Sequence, residues 1–229
     1  MDLEILYEDN HLIAVNKSNS DLVQGDDSGD EPLNDKVKAY LKKKYNKPGE
    51  VFLGVVHRID RPVSGVVLFA RTSKALSRMN KMFQEKEVKK IYWAIVKNLP
   101  QQDEGELRHF ILKDSNKNKS YSLHKKRPGS KEGILYYRLV SSSANYHLLE
   151  VDLKTGRHHQ IRSQLAKIGC PIKGDLKYGF PRSNVNGGIS LHSRRLEFLH
   201  PVKKEPVVIE APVPKNEPLW GAFENVVVD

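Results

Sequence analysis

The chain has 229 residues and a mass of 26.1 kDa, enough for a real hydrophobic core in one large domain or two small ones. Its 38 Lys and Arg against 28 acids give a net charge of +10, which favours an anionic partner, nucleic acid before membrane. No run approaches the ~18 apolar residues of a membrane span, the N-terminus is acidic where a secretory signal is basic, and a single cysteine, Cys170, excludes an intrachain disulfide. We therefore expect a cytoplasmic protein with one domain over residues 1–229.

The N-terminal part of the chain predicts a hairpin, a polar loop and two helices. Apolar segments at Leu3–Tyr7 and Leu12–Val15 flank a short turn, as in a β-hairpin. Residues 18–32 are rich in Asp, Gly and Ser, which predicts a mobile loop. Apolar residues then recur at helical spacing from Leu33 to Leu41 and from Ala75 to Phe83, and we expect these stripes to be core faces.

The remaining chain alternates between strand-like and helical patterns. Helical spacing predicts helices at Arg157–Ile168, ended by Gly169, and at Glu217–Val227. Strand-like runs occur at Ile91–Val96, Leu107–Leu112, Ile134–Val140, His147–Leu153, Leu191–Leu199 and Val207–Ala211. Adjacent antiparallel strands mixed with helices predict an α+β fold, with a mixed, largely antiparallel sheet as its core and helices flanking it.

Asp60 is a candidate for catalysis because of where it lies. It falls in the connection between two strand-like runs, Val51–Val56 and Gly65–Ala70, and the connection contains proline and glycine. Neighbouring Arg58 and Arg61 would favour its ionised form, and an ionised carboxylate can act as a nucleophile or a base. From this segment alone, a surface aspartate paired with neighbouring arginines is the favoured interpretation.

Four segments in the same order resemble the RluA-type pseudouridine synthases. The family patterns are HRLDxxTSG, KxYxAxV, GRxHQIR and GxPIxGDxxYG, and the matching segments are His57–Gly65 (HRIDRPVSG), Lys90–Val96 (KIYWAIV), Thr155–Arg162 (TGRHHQIR) and Gly169–Gly179 (GCPIKGDLKYG). The resemblance runs over about residues 3–201 and implies the pseudouridine synthase catalytic fold without the small N-terminal RNA-binding domain that many relatives carry.

The resemblance implies the isomerisation of uridine to pseudouridine in rRNA or tRNA. The bond from ribose C1′ to uracil N1 breaks, the base rotates, and C1′ is rejoined to C5, with Asp60 as the catalytic carboxylate. Attack on the base, attack on C1′ and removal of a proton all stay open as the role of Asp60. The target nucleotide must leave its stack first. Because the reaction involves no redox change, no cofactor and no metal are expected.

The resemblance also implies roles for further residues. Arg58 would fill the space that the flipped base vacates, Tyr92 would stack against that base, and Arg162, with Ile161 beside it in the substrate site, would form a salt bridge to Asp60. Strand alternation places the odd-numbered residues of 91–95 in the core and leaves Tyr92 on a face open to a cleft. Without the resemblance, an ordinary half-buried aromatic and a solvated helix charge would be the simpler interpretations.

The stretch Lys113–Lys131 contains seven Lys or Arg and a single acid, together with Tyr121. Such a stretch is either a solvated basic loop or an RNA contact. Its position within a catalytic domain favours phosphate contacts, which we assign to Lys125, Lys126 and Arg127.

A metal site formed by histidines is disfavoured by the sequence. His158 and His159 are adjacent, so on a helix they point about 100° apart, and no second pair of metal ligands accompanies them. His57 is expected to be structural or to contact RNA. We expect RNA as the partner and a monomeric protein. The alternative functions are an inactive RNA-binding protein of the same fold and a nucleic-acid glycosidase, which would release the base.

Overall fold

The structure is a computed structural model that describes residues 3–25, 29–215 and 217–223. The helices are α1 (Leu33–Lys44), α2 (Ser73–Gln84), α3 (Gln160–Lys167) and α4 (Pro218–Gly221), with a short 3-10 helix at Leu176–Tyr178. The strands are β1 (Ile5–Glu8), β2 (Leu12–Lys17), β3 (Gly54–Val55), β4 (Ser64–Ala70), β5 (Lys89–Val96), β6 (Glu104–Asp114), β7 (Lys119–Leu123), β8 (Lys131–Ser142), β9 (His147–Leu153), β10 (Leu191–Leu199) and β11 (Pro206–Glu210).

The chain forms two compact units. Unit 1 comprises Met1–Val88 and Ser193–Pro212, and unit 2 comprises Lys89–His192 and Val213–Asp229. Each contains antiparallel strands with helices beside them, which confirms the α+β class and the largely antiparallel sheet. The single domain that we expect over the whole chain stays a prediction.

Unit 1 is organised around β4. Its strands follow the order β1, β2, β4 and β10, with β11 paired to β10 and β3 paired to β4. The β1 and β2 strands form the predicted antiparallel hairpin. Helix α2 packs Ala75, Met79 and Met82 against Leu12 and Leu68 of the sheet, so the predicted core face of this helix is confirmed. Helix α1 likewise buries the stripe that its spacing predicted.

The strand predicted over Val51–Val56 is wrong in length, because only Gly54 and Val55 pair with β4. They lie opposite the end of β4, and β10 is the neighbour of the same strand in the sheet order. Gly65, at the start of β4, has φ of 110°, and a Cβ added there would lie 2.2 Å from the carbonyl oxygen of Ser193. The close approach of β10 therefore requires glycine at this position and leaves β3 only the end of β4.

Unit 2 contains a sheet in the order β5, β9, β8, β6 and β7, with antiparallel pairing throughout this series. Trp93 and Ile95 of β5 pack with Leu148, Trp220 and Phe223. Every residue of β5 after Lys89 is buried, Tyr92 included, so neither face of the strand is exposed; that Tyr92 faces a cleft stays a prediction. An unbroken apolar run is typical of a strand that is covered on both faces. For β5 this run predicted the burial better than strand alternation did.

Strand β7 has no counterpart among the predicted strands. Its sequence, KSYSL, places serines where an apolar face is expected, and both serines are nevertheless buried. The basic stretch Lys113–Lys131 is therefore a hairpin followed by a turn, where we expected a loop. Hydroxyl groups that hydrogen-bond across the interior explain how a polar strand can be buried.

Helix α3 begins three residues later than predicted, after a tight turn. His159 has φ of 51°, a left-handed conformation that no helix interior accepts. The side chain of Gln160 stabilises the turn by accepting hydrogen bonds from the Arg157 N–H at 3.0 Å and from the Thr155 hydroxyl at 2.8 Å. The helix ends at Lys167, and Gly169, with φ of 81°, follows as predicted.

Two further predictions fall partly outside the described residues. Helix α4 covers only Pro218–Gly221 of the helix predicted over Glu217–Val227, and residues 224–229 lie beyond the described part. In the loop 18–32, the described residues contain no helix or strand, residues 26–28 are not described, and mobility stays a prediction. Among the described helices, none has the length and apolar character to cross a membrane.

Candidate active site

Asp60 lies in a turn that buried neighbours hold in place. The N–H of Val63 donates to the carbonyl oxygen of Asp60 at 3.0 Å and closes the turn directly before β4. Ile59 and Val63 are both buried, whereas Asp60 is only half-buried. The two aliphatic residues, which replace Leu and Thr of the family pattern, thus anchor the backbone on each side of the carboxylate.

His57 gives the same turn a second anchor. Its Nε2 accepts a hydrogen bond from the backbone N–H of Leu68 on β4 at 3.0 Å, and its ring stacks on Phe83 of α2 with centroids 5.1 Å apart. The structural role, one of the two that the sequence predicted for His57, is therefore supported. These contacts fasten the segment that leads into Asp60 to both β4 and α2.

The two arginines beside Asp60 have other partners, and the prediction that their charge favours its ionised form stays a prediction. Arg58 is exposed and donates to Gln24 at 3.4 Å. Arg61 forms an ion pair with Asp30 at 2.5 Å, and both of these side chains are about half exposed, 46% and 54%. The side chains of Arg58 and Arg61 therefore both point towards the loop 18–32.

Lys17 is a buried cation of unit 1 whose pKa responds to the charge of Asp60, and sequence reasoning missed it. This last residue of β2 is 1% exposed, and its Nζ donates to the carbonyl oxygens of Ser18 at 2.7 Å and Arg61 at 2.9 Å. Burial lowers the pKa of Lys17 to about 7, against the opposing effect of the Asp21 and Asp60 charges. Strand alternation, which puts Lys17 on the buried face of β2, was the available signal.

The low pKa of Lys17 predicts a measurable pH dependence of stability. Between pH 7 and the ordinary lysine pKa of 10.5, the unfolded chain binds a proton that the folded chain has lost, so the free energy of unfolding rises with pH. Relative to Lys17→Met, the native chain should therefore gain stability at about 1.4 kcal/mol per pH unit within this window. Urea unfolding at pH 7 and pH 9 measures the difference.

The control for this prediction is Lys38→Met, which removes an exposed lysine of α1 that pairs with Asp35. Its stability should follow that of the native chain at both pH values. If the Lys17→Met and native stabilities also change in parallel, then Lys17 does not titrate between pH 7 and 10.5.

In unit 2, Arg162 and Asp175 form a buried bidentate ion pair. Nε of Arg162 lies 2.7 Å from Oδ2 of Asp175, and Nη2 lies 2.9 Å from Oδ1. The side chains are only 6% and 1% exposed. A guanidinium that is bound through two of its nitrogens has a fixed orientation. Asp175 therefore determines the direction in which the third nitrogen of Arg162 points.

Asp175 was not among the predicted site residues, although it stands in the matched segment Gly169–Gly179. Its backbone is held by the N–H of Asp175, which donates to Ile172, and by the N–H of Phe180, which donates to Asp175, both at 3.0 Å. Its position as a single acid directly after a glycine in a matched motif could have identified Asp175 as a site residue. Its partner could not be derived, because the sequence does not show which of several basic residues pairs with it.

Tyr178 and His159 enclose the ion pair from another side. The guanidinium carbon of Arg162 lies 5.1 Å from the ring centroid of Tyr178, within the range of a cation–π contact. The Tyr178 hydroxyl accepts from the Ser120 N–H at 2.8 Å, donates to the Ser120 carbonyl at 3.1 Å and lies 3.0 Å from Nδ1 of His159. Burial, reinforced by the Arg162 charge, lowers the pKa of His159 to about 2. The imidazole is therefore neutral beside the Arg162 guanidinium.

Tyr92 and Ile161 are both buried in unit 2. Tyr92 pairs with Val151 across β5 and β9 and is 7% exposed, while Ile161 lies in α3 beside Arg162. The segment that carries Asp175 is joined to β5, because the Lys173 N–H donates to the Ile95 carbonyl at 2.9 Å. Strand β5, which contains Tyr92, is thus hydrogen-bonded to the segment that contains Asp175, the partner of Arg162.

The predicted site residues are therefore divided between the units. Unit 1 contains Asp60 and Arg58, and unit 2 contains Tyr92, Ile161 and Arg162. The salt bridge from Arg162 to Asp60 stays a prediction. In the part of the chain that the structure describes, no group of three His, Cys, Asp or Glu side chains could hold a metal ion.

Comparisons with known proteins supply the family. Residues 11–167 match the model of the RNA pseudouridylate synthases. An uncharacterised RNA pseudouridine synthase of Synechocystis sp. is 32% identical over 229 residues, which cover 99% of this chain and 68% of that protein. The ribosomal large subunit pseudouridine synthase C of Buchnera aphidicola from Acyrthosiphon pisum is 34% identical over 91% of this chain and 67% of its own length.

The fold agrees with this family. The structure of human RNA pseudouridylate synthase domain containing 4 superimposes with a TM-score of 0.77 over 93% of this chain and 89% of that one, at 23% identity. The four matching sequence segments, the matched model and the similar relatives agree, and the chain belongs to the RNA pseudouridylate synthase family, as its resemblance to the RluA-type members predicted.

Proposed function

We propose that the protein is an RNA pseudouridine synthase, an isomerase that detaches uracil from ribose C1′ at N1 and rejoins it at C5. The observation that carries the proposal is the anchored turn of Asp60 in a chain of this family. Ile59, Val63, His57 and Lys17 all fix its backbone, while the carboxylate itself stays half-buried. A rigid frame around a half-buried aspartate suits a reaction at a positioned base.

We assign the substrate contacts by the resemblance. Arg58 is exposed and has a single weak partner among the described residues, a state suited to entering the space that a flipped nucleotide leaves. Tyr92 holds the base, with Ile161 beside Arg162, and Arg162 serves the catalytic carboxylate. The buried Arg162–Asp175 pair supports a positioning function for Asp175, because it withholds two of the guanidinium nitrogens from any other partner.

We propose RNA as the partner, with rRNA tested before tRNA because the Buchnera relative is named for the large ribosomal subunit. Nucleoside mapping of cellular RNA with and without the protein tests this choice. The loss of one pseudouridine position in rRNA is the expected result, and an unchanged pseudouridine map in all RNAs would contradict the proposal.

We further propose that both units form one catalytic domain and that the protein is a cytoplasmic monomer. The family match runs through parts of both units, over residues 11–167, which supports a single domain. Sedimentation at micromolar concentration tests the monomer, and a dimer mass would contradict it.

The charge around the β6–β7 hairpin supports phosphate binding there. Within the described ranges, none of the seven Lys and Arg of residues 113–131 forms an ion pair with a carboxylate. Elsewhere in unit 2, Arg108 pairs with Glu106 and Lys154 pairs with Asp152. Uncompensated positive charge concentrated in one segment is the pattern that favours a polyanion.

Neutralising Lys125, Lys126 and Arg127 together should weaken binding to all RNAs alike. These exposed side chains follow β7, and the removal of each phosphate contact should reduce the log–log salt slope by about 0.7 to 0.9, or about 2 to 3 in total. The choice of uridine should not change. Titration of RNA at several salt concentrations measures the slope.

The matched control neutralises three basic residues that already have acidic partners, Lys38, Arg108 and Lys154. It removes the same formal charge and should change the slope less. Equal slopes for the Lys125, Lys126 and Arg127 triple variant and the native chain would place the RNA contact elsewhere.

A further inference from the structure

Strand β7 presents two different faces. Ser122 donates through its hydroxyl to the Ser163 hydroxyl of α3 at 2.9 Å, and the Ser120 hydroxyl lies 2.8 Å from Nδ1 of His158. The buried serines therefore fasten β7 to the start of α3. The alternate residues, Lys119, Tyr121 and Leu123, face outward.

Tyr121 is an exposed aromatic on a rigid support. It is 38% exposed, and the antiparallel register places Leu112 of β6 directly opposite it. In the described part of the chain, its hydroxyl has no hydrogen-bond partner. The interior of the protein thus gives no reason for a tyrosine here, while the pairing with β6 fixes the backbone that carries the ring.

The surroundings of Tyr121 are basic. Lys119 Nζ lies 5.8 Å from the centroid of its ring and 5.1 Å from that of Tyr178. Lys117 precedes it in the turn of the same hairpin and has no acidic partner among the described residues. Asp114 lies opposite Lys119 in the register, but the two form no ion pair. An aromatic ring among unpaired cations is the combination with which proteins hold single-stranded nucleic acid, since the ring stacks a base and the cations bind phosphates.

Tyr136 provides an internal comparison. It is 43% exposed on β8 and also has a lysine over its ring, Lys154 at 5.4 Å. The cations around it are compensated, however, because Lys154 is paired with Asp152 at 2.5 Å and Arg108 with Glu106, to which the Tyr136 hydroxyl also hydrogen-bonds. Exposure and a nearby lysine are therefore common to both tyrosines, and only Tyr121 is set in uncompensated positive charge.

We propose that the outward face of β7 is a binding site for an unpaired nucleotide of the RNA other than the target uridine, with Tyr121 stacking on its base and Lys117 and Lys119 binding the adjacent phosphates. The proposal rests on RNA being the substrate, as proposed above. Stacking on a tyrosine tolerates any base, so this site adds affinity and fixes the path of the strand without selecting a sequence.

The test is the affinity for a fluorescein-labelled single-stranded RNA of about 20 nucleotides and mixed sequence, measured by anisotropy without turnover. Tyr121→Ala should weaken binding about 5- to 100-fold, the effect of losing one stacked base, with an unchanged salt slope because every phosphate contact remains. Tyr121→Phe should bind as the native chain does. A duplex of the same sequence, whose bases are already stacked, should show little difference among the variants.

Tyr136→Ala is the matched control and should bind the single strand as the native chain does. Native affinity for Tyr121→Ala would overturn the proposal, as would an equal loss for Tyr136→Ala or for Tyr121→Phe. A defect of Tyr121→Ala that is as large for the duplex would also overturn stacking. Since the assay requires no reaction, a chain that binds through Tyr121 but forms no pseudouridine would contradict the proposed function alone.

Discussion

Replacing Asp60 with asparagine or alanine is expected to abolish pseudouridine formation while the fold and the RNA affinity persist. The turn is anchored by Ile59, Val63 and the Lys17 contact to the Arg61 carbonyl, none of which uses the Asp60 side chain. Asparagine preserves its size but cannot act as a nucleophile or a base. Thermal unfolding, RNA affinity and release of tritium from C5 of uridine in RNA measure the three properties.

The control for Asp60 is Asp30→Asn, which removes another carboxylate that pairs at the same turn. Asp30 is exposed and pairs with Arg61, so its loss should change turnover by no more than about fivefold, as expected for a surface ion pair. Substantial turnover by Asp60→Asn would remove Asp60 from the mechanism. A comparable loss for Asp30→Asn would mean that charge at this turn, and not Asp60 itself, is required.

Arg162→Lys is expected to lose most of the activity, although it keeps the charge. The native guanidinium contacts both oxygens of Asp175, and a single ammonium cannot reproduce these two contacts together with a third one to the substrate site. Removal of one positioned electrostatic contact lowers turnover by about 10²- to 10³-fold in enzymes whose transition states require it. Single-turnover rates at saturating enzyme separate this loss from a loss of RNA binding.

Stability requires its own control, because removing one partner of a buried ion pair costs about 3–5 kcal/mol. Arg162→Ala would leave Asp175 charged and 1% exposed, so its inactivity could reflect unfolding. The double variant Arg162→Met with Asp175→Asn removes both charges at similar volume and should fold while remaining inactive. Near-native turnover by that folded double variant would show that Arg162 is structural.

The sequence predicted most of the elements because their signals are local. Apolar runs and helical stripes placed β4, α2, β9 and β10 to within a few residues, and the pairing of β1 with β2 followed from the short turn between them. The errors occurred where an interaction distant in sequence overrode a local pattern. Strand β7 is polar on its buried face because its serines bond to α3, some 40 residues away.

The sequence predicted the candidate site residues themselves but not the residues that hold them in place. Asp60, Tyr92 and Arg162 were identified by their segments, whereas Lys17 and Asp175 were not. Lys17 reaches a carbonyl 44 residues ahead, and Asp175 meets a guanidinium 13 residues behind it. Both interactions depend on the tertiary fold, which the spacing of neighbouring residues does not reveal. Strand alternation could have shown that Lys17 is buried, although not what it binds.

The most direct measurement of the central claim uses the purified chain and RNA that contains C5-tritiated uridine. An RNA pseudouridine synthase should release tritium to water in proportion to the pseudouridine recovered by nucleoside analysis, with no free uracil and no abasic site. Free uracil with abasic RNA would identify a glycosidase. RNA that is bound but retains all its tritium, across rRNA and tRNA alike, would contradict the account.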